Sequence, residues 1–172
     1  MKYTLVLAGA LAASLAAGTA NAQFYGILGA GNTNPDSDNG ALAGANASVD
    51  DAWALTGGIG YRFSPSVFVD LSSGLSDFSH TVNLEGLGDV AELNQRPVTL
   101  SLSYQFFSDQ TFRPYLTAAY GWNLVSGEQT TGALSGLGID VGDGSGFVWG
   151  GGADVFFNEN WFVRGDIKLM DF

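Results

Sequence analysis

Ser79, His80 and Glu85 bring a hydroxyl, an imidazole and a carboxylate close together in the chain, the three groups that a nucleophilic hydrolase uses. His80 is the only histidine of the protein. The grouping lacks a glycine-flanked nucleophile and lies on or beside a long polar loop, and closeness in sequence supplies none of the geometry a triad needs. No catalytic residue is assigned, and the chain is read as no enzyme. Asp140 and Asp143, with glycines between and after them, resemble the oxygen-rich loops that hold calcium, but the spacing is not that of an EF-hand. They are read as part of a solvated acidic loop, with no metal and no cofactor expected. The remaining loop acids, among them Asp36, Asp38, Asp50, Asp51, Glu85, Asp89, Glu92 and Glu128, either bind divalent cations loosely or face a salty medium.

A second set of charges sits in apolar surroundings. Arg62, Asp70, Asp154, Arg164, Asp166 and Lys168 each alternate with apolar neighbours, so each points away from the greasy face of its own segment. If that opposite face were enclosed, these groups would have to pair, because an isolated charge there is badly desolvated. Phe68, Val148, Phe156 and Phe162 share their parity, which is unusual for a water-filled interior. Two readings stay open for each set. The charges form either a salt-bridged plug or a functional polar floor, and the apolar side chains either line a channel or merely fill a small barrel.

Such an interior needs strands to make it. From Arg96 to Val125 two alternating segments flank a turn of a few residues. Val98, Leu100, Leu102, Tyr104 and Phe106 share one face of the first, with Thr99, Ser101, Ser103 and Gln105 on the other. Leu116, Ala118, Tyr120, Trp122 and Leu124 share one face of the second, with Thr117, Ala119, Gly121 and Asn123 opposite. A period of two is the β signal. Seven such segments are predicted, at about 24–32, 53–63, 66–78, 97–107, 112–125, 147–158 and 160–170. Their connections alternate between tight turns, such as Ser64-Pro65 and Asn158-Glu159-Asn160, and long polar loops at 33–52, 79–95 and 126–146. A meander of that kind has all tight turns at one end and all long loops at the other.

Alternation alone fits a soluble sandwich as well as a membrane barrel. The aromatic residues decide between them. Trp53, Trp122 and Trp149 stand near the long-loop end of the apolar rows, and Phe63, Phe106, Phe157 and Trp161 near the tight-turn end. The ten steps from Trp53 to Phe63, at about 3.3 Å each and a tilt near 40°, span about 25 Å, the height of the apolar belt of an outer-membrane barrel with aromatic girdles at both edges.

Composition agrees. The 172-residue chain is 46% hydrophobic, holds no cysteine and carries a formal net charge of −11, so it is one domain's worth, has no disulfide framework and makes a poor partner for nucleic acid. Lys2, the apolar run Leu5–Ala17 and the small-x-small sequence Ala20-Asn21-Ala22 read as a cleaved signal peptide over residues 1–22. The expected mature domain is 23–172.

The chain resembles the outer-membrane protein W family of Gram-negative bacteria, small eight-stranded barrels. The resemblance is densest at FVDLSSGLSDFSH with RPVTLSLSYQF, at TFRPYLTAAYGW and at NENWFVRGDIKLMD. It implies an all-β, antiparallel up-and-down transmembrane barrel in the outer membrane, surrounded by lipid and assembled by the barrel-assembly machinery. It also implies a narrow, porin-like channel that takes up small hydrophobic molecules and releases them sideways into the membrane. The alternative is a structural or adhesive barrel without transport. A single proline, Pro97, followed by Val98 replaces the pair of prolines common in the family, and only seven strands are visible. The closing strand after Phe172 is expected to be lacking, because Phe172 falls in the row of Arg164, Asp166 and Lys168.

Overall fold

The computed structural model describes residues 4–15, 23–35, 41–42, 45–132, 135–136 and 142–171. Every described strand pair is antiparallel. The strands, in chain order, are β1 (Thr4–Leu15), β2 (Gln23–Asn34), β3 (Ala41–Leu42), β4 (Ala45–Val49), β5 (Ala52–Ser64), β6 (Val67–Gly74), β7 (Phe78–Leu84), β8 (Gly88–Gln105), β9 (Phe112–Thr130), β10 (Gly144–Phe156) and β11 (Trp161–Met170).

Eight of them close on themselves. The sheet runs β8-β6-β5-β2-β1-β11-β10-β9, and β9 pairs back with β8. Closure leaves no edge strand in the ring, so backbone donors and acceptors are satisfied between neighbours, as a span through hydrocarbon demands. The hairpin that began as two alternating segments is the seam of this closure, with Leu100 opposite Tyr120 and Tyr104 opposite Leu116.

The ring differs from the seven strands read in the sequence. Thr4–Leu15, predicted as signal peptide, lies between β2 and β11, in register from Leu5 opposite Leu169 to Ala13 opposite Trp161. Leu5, Leu7, Leu11 and Leu15 share one parity, which satisfies a period of two as well as an export segment does. The cleavage motif Ala20-Asn21-Ala22 lies outside the described residues, as do Asp36, Asp38, Asp140 and Phe172.

Two of the loops also hold strands. The third predicted segment ends at Gly74 instead of Phe78, because the chain turns there onto β5: the amides of Leu75 and Ser76 donate to Leu55 O, and Leu55 N donates to Ser76 Oγ at 3.0 Å. Phe78–Leu84 then pairs with the first part of β8, and β4 and β3 add to its outer edge. Polar loop composition concealed this flap, whose ladder has one apolar row and one polar one. The tight turns are held locally: Ser64 Oγ accepts from the amides of Ser66 and Val67, and Asn158 Oδ1 from those of Asn160 and Trp161.

The outside of the ring is apolar. Leu28, Ile59, Leu100, Leu116 and Phe147 are each at least half exposed, a belt far larger than a soluble surface carries. Trp53, Trp122, Trp149, Phe63, Phe106, Phe157 and Trp161 are all exposed on this outer face. Thr99, Ser101, Ser103, Gln105 and Thr117 are buried inside it. The barrel is thus inverted relative to a soluble protein.

Candidate functional site

The inward rows of β5, β6, β8, β10 and β11 bring Arg62, Asp70, Gln105, Asp154 and Arg164 together near the tight-turn end. Asp154 is fully buried and holds the centre. Its Oδ1 accepts from Arg164 Nε at 2.7 Å, and its Oδ2 from Arg164 Nη2 at 3.0 Å, Gln105 Nε2 at 2.9 Å and Arg62 Nη2 at 3.4 Å. The two contacts with Arg164 make a bidentate fork, the strongest common ion-pair geometry. Gln105 Oε1 in turn accepts from Arg62 Nη1 at 2.6 Å, so Gln105 bridges the cation and the anion. Arg164 Nη1 reaches across to Asp70 Oδ2 at 2.9 Å.

Two tyrosines extend the network in one repeated arrangement. Tyr25 on β2 lies in register with Gly60 on β5, which lies in register with Asp70 on β6, and the Tyr25 hydroxyl donates over the glycine to Asp70 Oδ1. Tyr115 on β9, Gly152 on β10 and Asp166 on β11 repeat it, with Tyr115 OH donating to Asp166 Oδ2 at 2.9 Å. A Cβ at Gly60 would collide with the Tyr25 ring, and one at Gly152 would sit 2.8 Å from Tyr115 OH. Each tyrosine therefore lies flat across a strand whose side chain has been removed to admit it.

Aromatic rings fill the spaces between the charges. Phe68 and Phe162 are buried with Tyr25 and Tyr115, and Phe156 stacks on Phe162 at 4.9 Å between centroids. The Arg164 guanidinium lies 4.7 Å from the Phe68 ring, 5.0 Å from Tyr115 and 5.4 Å from Phe162. The Arg62 guanidinium lies 4.8 Å from the Phe68 ring as well. Cations set against ring faces in a dry interior gain from the quadrupole as well as from their carboxylates.

The inward residues singled out in the sequence thus fall into three groups. Arg62, Asp70, Asp154 and Arg164 form one hydrogen-bonded floor, with Phe68, Phe156 and Phe162 packed into it. Asp166 and Lys168 stand beside it, their closest approach 3.9 Å. Val148 is buried elsewhere, against Ala119 and Met170. Gln105 and the two tyrosines were assigned no role in the sequence. Parity marks Gln105 as inward, but its partners lie 43 and 49 residues away, beyond any local pattern.

Toward the long-loop end of this floor lies a cavity of about 70 Å³. Asp70, Arg164, Asp166 and Lys168 form its base, Thr56, Ser72 and Thr99 a hydroxyl belt, and Ile27, Phe78 and Met170 its apolar wall. Its side reaches Gly74 and Pro97, where β6 leaves β8.

Ser79, His80 and Glu85 do not converge. His80 is buried, with Nδ1 2.7 Å from Asp50 O and Nε2 3.1 Å from Thr33 Oγ1. Ser79 donates to Asn94 Oδ1 and Glu85 accepts from Asn46 Nδ2. Burial lowers the imidazole pKa, and the Asp50 carbonyl with the Asp50 and Asp51 carboxylates offsets part of that shift. Asp143 Oδ1 accepts from Val125 N at 2.8 Å, which makes it a brace of the β9–β10 loop.

The sequence model of the family described as outer membrane protein beta-barrel domain matches residues 3–172. The chain is 28% identical over 136 residues to outer membrane protein AlkL of Ectopseudomonas oleovorans. That alignment covers 77% of this chain, which spans 58% of the relative's length. The crystal structure of outer membrane protein OprG from Pseudomonas aeruginosa shares the fold, with a TM-score of 0.63 over 97% of this chain and 92% of that chain, at 19% identity.

Proposed function

Because the chain belongs to the outer membrane protein beta-barrel domain family and is an outer-membrane barrel, we propose that it is a narrow channel for passive uptake of small hydrophobic molecules, of the outer-membrane protein W type, and no enzyme. The observation that carries this reading is the cavity walled by Ile27, Phe78 and Met170 above a floor whose charges are spent on one another. A solute that enters from the long-loop end meets apolar wall and is stopped by the floor. The way out is sideways. At the Gly74–Pro97 position the β6–β8 ladder ends, Pro97 has no N–H to donate, and Leu75 and Ser76 bond to Leu55 instead.

The solute leaves there into surrounding outer-membrane lipid, the other partner in this reading, while the barrel-assembly machinery acts only during biogenesis. Phe78→Asp and Met170→Asp place a charge in the wall, and each is expected to cut uptake of labelled octane into cells at least several-fold while the heat-modifiable barrel persists. Unchanged uptake would overturn the channel and leave a structural or adhesive barrel.

A further inference from the structure

The base of the cavity presents a donor with nothing to donate to. Lys168 lines it with a side chain 14% exposed, and its ammonium makes no hydrogen bond among the described residues. Its ion-pair partner, Asp166 Oδ2, stays 3.9 Å away and accepts from Tyr115 OH instead. An ammonium carries only donors, and leaving them unmet inside a protein is costly. The acceptors around it are taken or shut off. Asp70 accepts from Tyr25 and Arg164, the Ser72 and Thr99 hydroxyls bond to each other at 2.7 Å, and Asp166 Oδ1 is buried out of reach. Lys168 Nζ, unlike that oxygen, stays open to a small molecule.

We propose that the cavity is a binding site for small alkyl ketones and aldehydes, with the carbonyl oxygen accepting from Lys168 Nζ and the alkyl tail lying along Ile27, Phe78 and Met170. This rests on the channel reading and names the solute class its site prefers. Two features select the class. Asp70, Asp154 and Asp166 are matched in ion pairs by Arg62, Arg164 and Lys168, so an ionised carboxylate head would bring an unpaired charge into a largely dry site. A carbonyl is neutral and accepts without donating, so it meets the ammonium and asks nothing of the carboxylates already engaged. The apolar wall then takes the remaining carbons out of water.

The test compares methyl ethyl ketone with the alkene of the same shape, in which a methylene group replaces the carbonyl oxygen. Each is titrated into the isotope-labelled full chain in lipid nanodiscs, and the amide shifts of Gly57, Ser72 and Thr99 report occupancy. Lys168→Met keeps a stem of similar length and removes the donors. It is expected to weaken the ketone about tenfold, the weight of one charge-assisted hydrogen bond, and to leave the alkene unchanged or tighter. Comparing each ligand with itself across the two proteins cancels the different costs of taking ketone and alkene out of water. No binding of the ketone to the wild-type protein, an unchanged ketone affinity in the variant, or an equal loss for both ligands would overturn the site. If the variant fails to assemble, the wild-type protein decides: nuclear Overhauser contacts are expected between the ketone α-protons and Lys168 Hε, and contacts to Ile27 and Met170 alone would overturn the site. Octane uptake separates the two proposals. Lysine-dependent ketone binding without uptake keeps the site and removes the channel, whereas uptake without that dependence removes the site alone.

Discussion

Asp154 and Gly60 show how one side chain, or its absence, governs this interior. Asp154 accepts four contacts from Arg62, Gln105 and Arg164 without any exposure to water. Asp154→Ala would leave Arg164 with Asp70 alone and Arg62 with no carboxylate, only Gln105 and the Pro65 carbonyl, and a loss of about 3–5 kcal/mol is expected, read as a lower urea midpoint in vesicles. Gly60 acts by omission. Gly60→Ala must push Tyr25 off Asp70, and should destabilise the barrel by about 1–3 kcal/mol in thermal unfolding. Gly26→Ala is the comparison on β2, because nothing lies within 4 Å of its Cβ position, and it should be neutral or slightly stabilising.

Among the described elements, the flap of β3, β4, β7 and the start of β8 carries the protein's one histidine and is expected to respond to pH. His80 pins β7 to Thr33 on β2 and to the Asp50 carbonyl ahead of β5. Its pKa is lowered by burial, so the unfolded flap binds the proton more readily than the folded one. The stability this contributes is therefore complete above the ordinary histidine value of about 6.5 and declines as pH falls below it. Amides of β7 should exchange faster at pH 5 than at pH 7.5 after correction for intrinsic rates. The lone imidazole resonance should titrate below its free value, and His80→Gln should flatten the pH response of the flap.

For the molecule as a whole, closure of the ring is what sets inside against outside. In the structure β1 supplies the eighth plank between β2 and β11. We propose that residues 1–22 act as an export signal and are removed. N-terminal sequencing of protein from the outer-membrane fraction is then expected to begin at Gln23, and a blocked or Met1 terminus would refute it. Removal exposes the facing edges of β2 and β11, and in hydrocarbon those edges must be covered by another strand.

The amino-acid sequence by itself determined the period of two, the apolar rows such as Val98 to Phe106 and Leu116 to Leu124, the placement of the aromatics at both ends of those rows and the opposite parity of the charges, because each of these is a property of neighbours along one strand. Phe78, Val82 and Leu84 alternate with Ser79, Thr81 and Asn83, but polar flanks on both sides hid the segment among loop residues, and the strand exists through its partners in β4 and β8. Nor could parity distinguish plug from lining: Phe68, Phe162 and Val148 share a row type, yet only tertiary packing put two against the arginines and the third beside Met170. Which carboxylate meets which guanidinium was decided by the stagger of the closed ring. Arg164 reaches Asp70 across 94 residues of chain, a pairing that only the curvature of the sheet could bring within 2.9 Å.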